Sequence, residues 1–140
     1  MMSTDIKIRW AWLRFMYIYT IVGAGGFGLA IIVVPDLIRS LFSMPGGDPI
    51  TFGISGSFYL ACALVAILGL RDPLKFVPIL VIELCYKLLW FIGVVLPFLI
   101  TGRFPSYAIP IAIIFATYII GNLIAIPFSY VFTKQANREP

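Results

Sequence analysis

Two side chains of opposite charge stand in the middle of an apolar run, Glu83 and Lys87. Each alone costs roughly 2.5–3.5 kcal/mol to insert at the centre of a membrane helix. Their i, i+4 spacing puts them on one helical face, with the acid N-terminal to the base, the better order for a helical ion pair. Trp90 continues the same stripe one turn on. Helical rise places Glu83 roughly 15 Å into its segment and Thr20 at a similar depth in another. Asn122 and Lys87 lie about 22 Å and roughly 20 Å from the opposite end. Glu83, Lys87, Trp90, Asn122, Thr20 and Tyr59 are therefore expected to form one polar layer near the midplane. Such a layer either locks helix register through hydrogen bonds or lines a small pocket for an amphiphile.

Catalysis finds little support in the residue types. The chain contains no histidine, so the commonest general base and membrane metal ligand is missing. No metal-ligand spacing, nucleophile–base pair or phosphate-binding loop occurs. A lone glutamate near tyrosines can do acid–base work, as in membrane sterol isomerases, but a histidine or second acid is absent. A small proton-coupled drug exporter needs an unpaired membrane glutamate, whereas Lys87 is placed to neutralise this one. The expectation is a non-enzyme without cofactor or metal. Cys62 and Cys85 both fall inside apolar segments without CxxC spacing and read as buried free thiols.

The elements that carry these residues follow from composition. Of 140 residues, 61% are hydrophobic and 11% charged, and the mean hydropathy is +1.05. A soluble domain carries about 25% charged residues, and one this apolar has no polar surface to present to water. Lipid accepts apolar side chains all round a helix. Four runs have the roughly 20 apolar residues a span needs: about 10–34, 50–70, 73–100 and 107–132. They fill residues 1–140 as one all-α transmembrane domain, a four-helix bundle. Asp72-Pro73 reads as a cap and first helical residue for the third span, and Ser106 as a cap for the fourth. The third is long enough to need tilt or a bend, with Pro97 and Pro127 as kink sites. The first apolar run exceeds the roughly 7–15 residues of a signal core and is expected to be a retained span.

The basic residues fix an orientation. Lys7, Arg9, Arg14, Arg71, Lys75, Lys134 and Arg138 fall on one side, against Arg39 and Arg103 on the other. Such asymmetry predicts that both termini are cytoplasmic. Basic residues standing singly at segment ends argue against a nucleic-acid partner despite the net charge of +4. Between the first two spans, residues 36–44 cluster Leu37, Ile38, Leu41, Phe42 and Met44 on one face. This pattern predicts a short helix in the outer interface, ended by Pro45-Gly46-Gly47. Small-residue stripes at 24/28, 26/30, 53/57/61 and 108/112/116 offer close helix contacts, expected within the chain although another subunit is also a candidate.

The stretch from Gly56 to Pro73, closing on Arg71-Asp72-Pro73, with Glu83 and Tyr86-Lys87-Leu88-Leu89-Trp90, resembles small bacterial DoxX-like membrane proteins. The resemblance covers about half the chain and carries over no catalytic residue. It implies a four-helix protein of the bacterial inner membrane, some of whose relatives are accessory subunits of quinone-linked oxidoreductases. The functional expectation is accordingly a non-enzymatic accessory subunit docked on a larger membrane complex, with lipids and other subunits as partners. The alternative is a stand-alone binder or transporter of a small amphiphile, a lipid or a quinone, using the midplane layer.

Overall fold

The computed structural model describes residues 7–133. Its four long apolar helices have the length and composition of membrane spans: α1 (Trp10–Val33), α3 (Pro49–Arg71), a third made of several pieces, and α6 (Ala108–Ala125). A short helix α2 (Pro35–Leu41) follows the first span, as expected. The protein is an all-α bundle of four membrane-type helices, and among the described residues no strand occurs.

Two Asp-Pro pairs mark helix ends, and the second departs from expectation. Asp48 accepts hydrogen bonds from the N–H groups of Ile50 and Thr51, and Pro49 opens α3. That pair is a cap with proline at the first position, where a missing N–H costs nothing. Asp72-Pro73, read as the same device, instead closes α3. Asp72 is its C-terminal cap residue, and its N–H bonds to the Leu68 carbonyl. Residues 73–76 form turns, and α4 (Val77–Trp90) starts at Val77 without a side-chain cap. The Tyr17 hydroxyl donates to the Pro73 carbonyl at 2.6 Å, which ties this turn to α1. Ser106 does not cap the fourth span, whose helix starts at Ala108 after Tyr107.

Both kink prolines mark real distortions. A five-residue π-helical segment, Phe91–Val95, links α4 to α5 (Leu96–Ile100), and the Leu96 N–H bonds back to Phe91. Pro97 brings no N–H and crowds the carbonyl four residues earlier, and the wider turn directly before it relieves that conflict. At Pro127 the fourth span stops: Ile126 is extended, and the chain resumes as α7 (Phe128–Phe132).

Helix α2 is shorter than the predicted 36–44. Ile38 is buried and Phe42 and Met44 are half-buried, while Leu37 and Leu41 are exposed. The turn after it passes through Ser43 at φ 54°. Asp36 lies in its first turn and Arg39 in its last, each favourable to the helix dipole.

The most extensive helix interface joins α1 to α3, and α6 packs on both α1 and α4. Glycine makes the first contact possible. A Cβ on Gly28 would lie 2.6 Å from both the Gly56 oxygen and the Leu60 nitrogen, so the two backbones run in direct apposition. The stripe at Gly53, Ser57 and Ala61 faces away from this seam: Ser57 and Ala61 are exposed, and Gly53 has open space before it. The closed core gathers Leu13, Met16 and Tyr17 of α1 with Ala66, Val77, Leu80, Leu84 and Tyr118. Those residues belong to the half of the bundle nearest the N-terminal end of α1, and the other half is more open.

By alternation of the spans, Lys7, Arg9, Arg71 and Lys75 share one end of the bundle, while Arg39 and Arg103 share the other. Arg14 points outward one turn into α1. Lys134 and Arg138 lie outside the described residues. Both cysteines are free, but only Cys62 is buried; Cys85 faces outward, contrary to expectation.

Candidate functional site: a caged lysine at the floor of a cavity

The α4 spacing does what an i, i+4 pair should. Lys87 Nζ stands 3.4 Å from Glu83 Oε2, and both residues are 1% exposed. The carboxylate is tied across the bundle, because Thr20 Oγ1 on α1 donates to Glu83 Oε1 at 2.9 Å. Thr20 is fully buried as well. A buried ion pair needs its remaining valences satisfied to repay desolvation, and Thr20 supplies part of that.

The lysine is satisfied differently. Its ammonium donates to the Tyr86 hydroxyl at 2.9 Å. It also lies 4.2 Å from the Tyr86 ring centre, 4.3 Å from that of Tyr118 and 5.3 Å from that of Phe115. Ring faces carry negative quadrupole density, worth about 2 kcal/mol to a desolvated cation. Three rings from α4 and α6 thus take the place of water around the charge.

Tyr118 is fixed by its own contacts. Its hydroxyl donates to the Tyr19 carbonyl at 3.1 Å, and its ring stacks on Tyr19 at 4.4 Å between centres. A Cβ on Gly23 would collide with that hydroxyl, so glycine there admits Tyr118 against α1. The Tyr19 hydroxyl in turn bonds to Thr117 at 2.6 Å.

Beyond the cage opens a cavity of about 300 Å³, at the small end of the range for ligand pockets. Helix α1 contributes Tyr19, Gly23, Ala24 and Phe27; α6 contributes Ile111, Ile114, Phe115 and Tyr118. Tyr59, Tyr86 and Lys87 complete the wall, and Phe42, edge-on to Phe27 at 5.5 Å, lies at its far end. Among the described residues, Lys87 is the one charged residue in this lining. The cavity therefore runs from a polar floor beside Lys87 toward the end of the bundle that carries α2.

Of the six residues expected in one polar layer, Thr20, Glu83 and Lys87 come together. Tyr59 joins the cavity wall through rings, 6.2 Å from Tyr86 and 6.4 Å from Phe115 between centres, and takes no part in the hydrogen-bonded cluster. Trp90 packs on the Phe115 ring at 5.0 Å and lines a different recess with Val94, Phe98 and Tyr107. Asn122 is fully buried, yet neither carboxamide atom has a hydrogen-bond partner among the described residues. Of the cage residues, Tyr86 entered the sequence reading only within the DoxX-like stretch and without a role at the site, and Phe115, Tyr118 and Tyr19 did not enter it. The signal for them was present: Tyr86 adjoins Lys87, and Phe115 and Tyr118 are three apart on the one span carrying Asn122.

Among the described residues no group of three histidine, cysteine or acidic side chains gathers as a metal site. Comparison with protein-family models, with curated proteins and with solved structures yields no match to this chain.

Proposed function

We propose that this protein is a multi-pass membrane protein that binds a small amphiphile in the α1–α6 cavity, with Lys87 and Tyr86 at the polar end. One observation carries the reading: a buried cation faces a cavity whose other walls are almost wholly apolar and aromatic. A pair serving only helix register needs no such space beside it. The role is binding rather than catalysis, since the cluster presents one acid already matched to one base. The excess of basic residues at the α1 N-terminal end supports a cytoplasmic placement of that end. The DoxX-like resemblance supports the bacterial inner membrane.

Mass spectrometry of the particle, released from its native membrane in mild detergent, tests this reading. The expected result is an amphiphile of defined mass on the wild type and its loss in Ala24→Leu, which adds bulk to the α1 wall of the cavity and leaves the Lys87 side chain itself unaltered. A wild type without bound amphiphile, or a variant that keeps it, refutes the reading.

A second reading, an accessory subunit of a larger complex, is favoured by the outward stripe of Gly53, Ser57 and Ala61. Small residues on an outer face allow another helix to approach closely. The same measurement addresses it: a fixed-stoichiometry assembly containing this chain supports docking, and a chain released alone opposes it.

A further inference from the structure

The chemistry of the cavity floor bears on what kind of polar group it accepts. Lys87 uses two of its three N–H donors among the described residues, one on Glu83 and one on Tyr86. The Tyr86 oxygen accepts from Lys87, so its own hydrogen is available to another acceptor. Both residues line the cavity. The floor thus offers donors.

Its net charge, however, is zero. Glu83 and Lys87 sum to nothing whichever of them holds the shared proton, and among the described residues no other charged side chain lines the cavity. Arg39, the basic residue on α2, is turned away from the cavity: its guanidinium contacts the Gly47 carbonyl and the Phe52 ring. An anionic headgroup entering here would bring an uncompensated charge into a low-dielectric interior, which costs several kcal/mol. An uncharged oxygen acceptor would take the free donors and add no charge.

Building on the cavity reading, we infer that the ligand's polar end is an uncharged carbonyl, as in an ester or a quinone ring, and not a carboxylate, sulfonate or phosphate. The walls suit either source, because rings such as Phe27, Tyr59 and Phe115 pack against a flat head or an acyl chain.

The test is competition for the purified full chain in one detergent solution, read by native mass spectrometry. The probes are methyl palmitate, an alkylbenzoquinone and hexadecanesulfonate. Each neutral probe, or one of them, is expected to outcompete the sulfonate by at least about tenfold, equivalent to 1.4 kcal/mol. Preference between ester and quinone identifies the source. Tyr86→Phe, which keeps the ring, is expected to weaken the neutral probe by about three- to tenfold. Glu83→Gln, which leaves Lys87 unbalanced, is expected to shift selectivity toward the sulfonate. Sulfonate binding as tight as that of the neutral probes in the wild type overturns the inference while leaving the cavity reading intact. So does a wild type that retains its native amphiphile but takes up no neutral probe. If no probe binds and no amphiphile co-purifies, the cavity reading falls, and this inference with it.

Discussion

Thr20 Oγ1 donates to Glu83 Oε1 at 2.9 Å, with a second, longer contact of 3.3 Å to Oε2. A single hydroxyl on α1 thereby holds the carboxylate of α4, and the carboxylate in turn holds Lys87 over the cavity. Thr20→Val preserves shape and removes the donor. It is expected to destabilise the bundle by about 1–2 kcal/mol, since the bond is to a charged group but the membrane reference state finds other partners. Reversible unfolding in mixed micelles measures it. An unchanged midpoint means the contact contributes no net stability.

The pair itself predicts a non-additive cycle. Glu83→Leu or Lys87→Met alone leaves one buried ionisable group without its partner, a loss of about 3–5 kcal/mol when a buried pair is broken on one side. The double variant removes both charges together and is expected to recover most of that loss. If the double variant is as unstable as the sum of the singles, the two residues do not act as a unit. Retained amphiphile in a folded double variant further separates the pair from ligand binding.

The helices were legible because hydropathy over twenty residues is a strong signal, and Glu83–Lys87 because charges are conspicuous in such a background. The boundaries were less so. Asp48-Pro49 and Asp72-Pro73 are the same dipeptide, yet the first caps a helix and the second ends one. Only tertiary context separates them, since Pro73 offers its carbonyl to Tyr17 from a turn. The aromatic cage was illegible for the converse reason: tyrosine and phenylalanine are common in apolar spans, so Tyr86 and Phe115 do not stand out by type. Depth arithmetic brought Thr20 to the right level. It also grouped Asn122 and Trp90 with the pair, but equal depth does not supply reach, and Trp90 turns to another recess.

Asn122 gives the sharpest test of that distinction. It lies one helical turn past Tyr118, fully buried, with its carboxamide unpartnered among the described residues. An unsatisfied buried polar group costs about 1–3 kcal/mol, so Asn122→Leu, which keeps the branched heavy-atom skeleton of the side chain, is expected to raise stability by about that amount. Equilibrium unfolding of the variant reads the sign directly. Destabilisation instead would mean that Asn122 has a partner such as bound water, which a leucine cannot replace.

Asp48 carries a pH dependence at the mouth of α3. The Thr51 hydroxyl, at 2.6 Å, and the backbone N–H groups of Thr51 and Ile50 hold its carboxyl below the ordinary carboxylate value. A depressed folded-state value means the cap is fully present above the unfolded-state value and is lost as pH falls through the folded one. Amide exchange at Ile50 and Thr51, corrected for intrinsic rates, is therefore expected to accelerate on acidification below the ordinary carboxylate range. Asp48→Asn keeps an acceptor at the cap and is expected to flatten the profile. An acid-dependent opening that persists in the variant would assign the titration elsewhere.

Two glycines on opposite faces of the α1–α3 pair predict opposite signs for the same substitution. At Gly28 an added Cβ meets the Gly56 oxygen and Leu60 nitrogen at 2.6 Å, and neither backbone atom can swing aside. Gly28→Ala must push the helices apart, at a cost of about 1–3 kcal/mol typical of overpacking. Gly53, on the partner helix α3 but facing open space, has nothing to displace. Gly53→Ala is expected to be stabilising by about 0.5–1 kcal/mol, through the lower backbone entropy cost of alanine in a helix interior. Comparison of the two variants by thermal unfolding in one detergent isolates packing from propensity, because propensity is common to both. Equal effects at the two positions would mean that α1 and α3 do not meet through Gly28. A loss at Gly53 alone, seen only in the native membrane, would instead place another helix against its outward face.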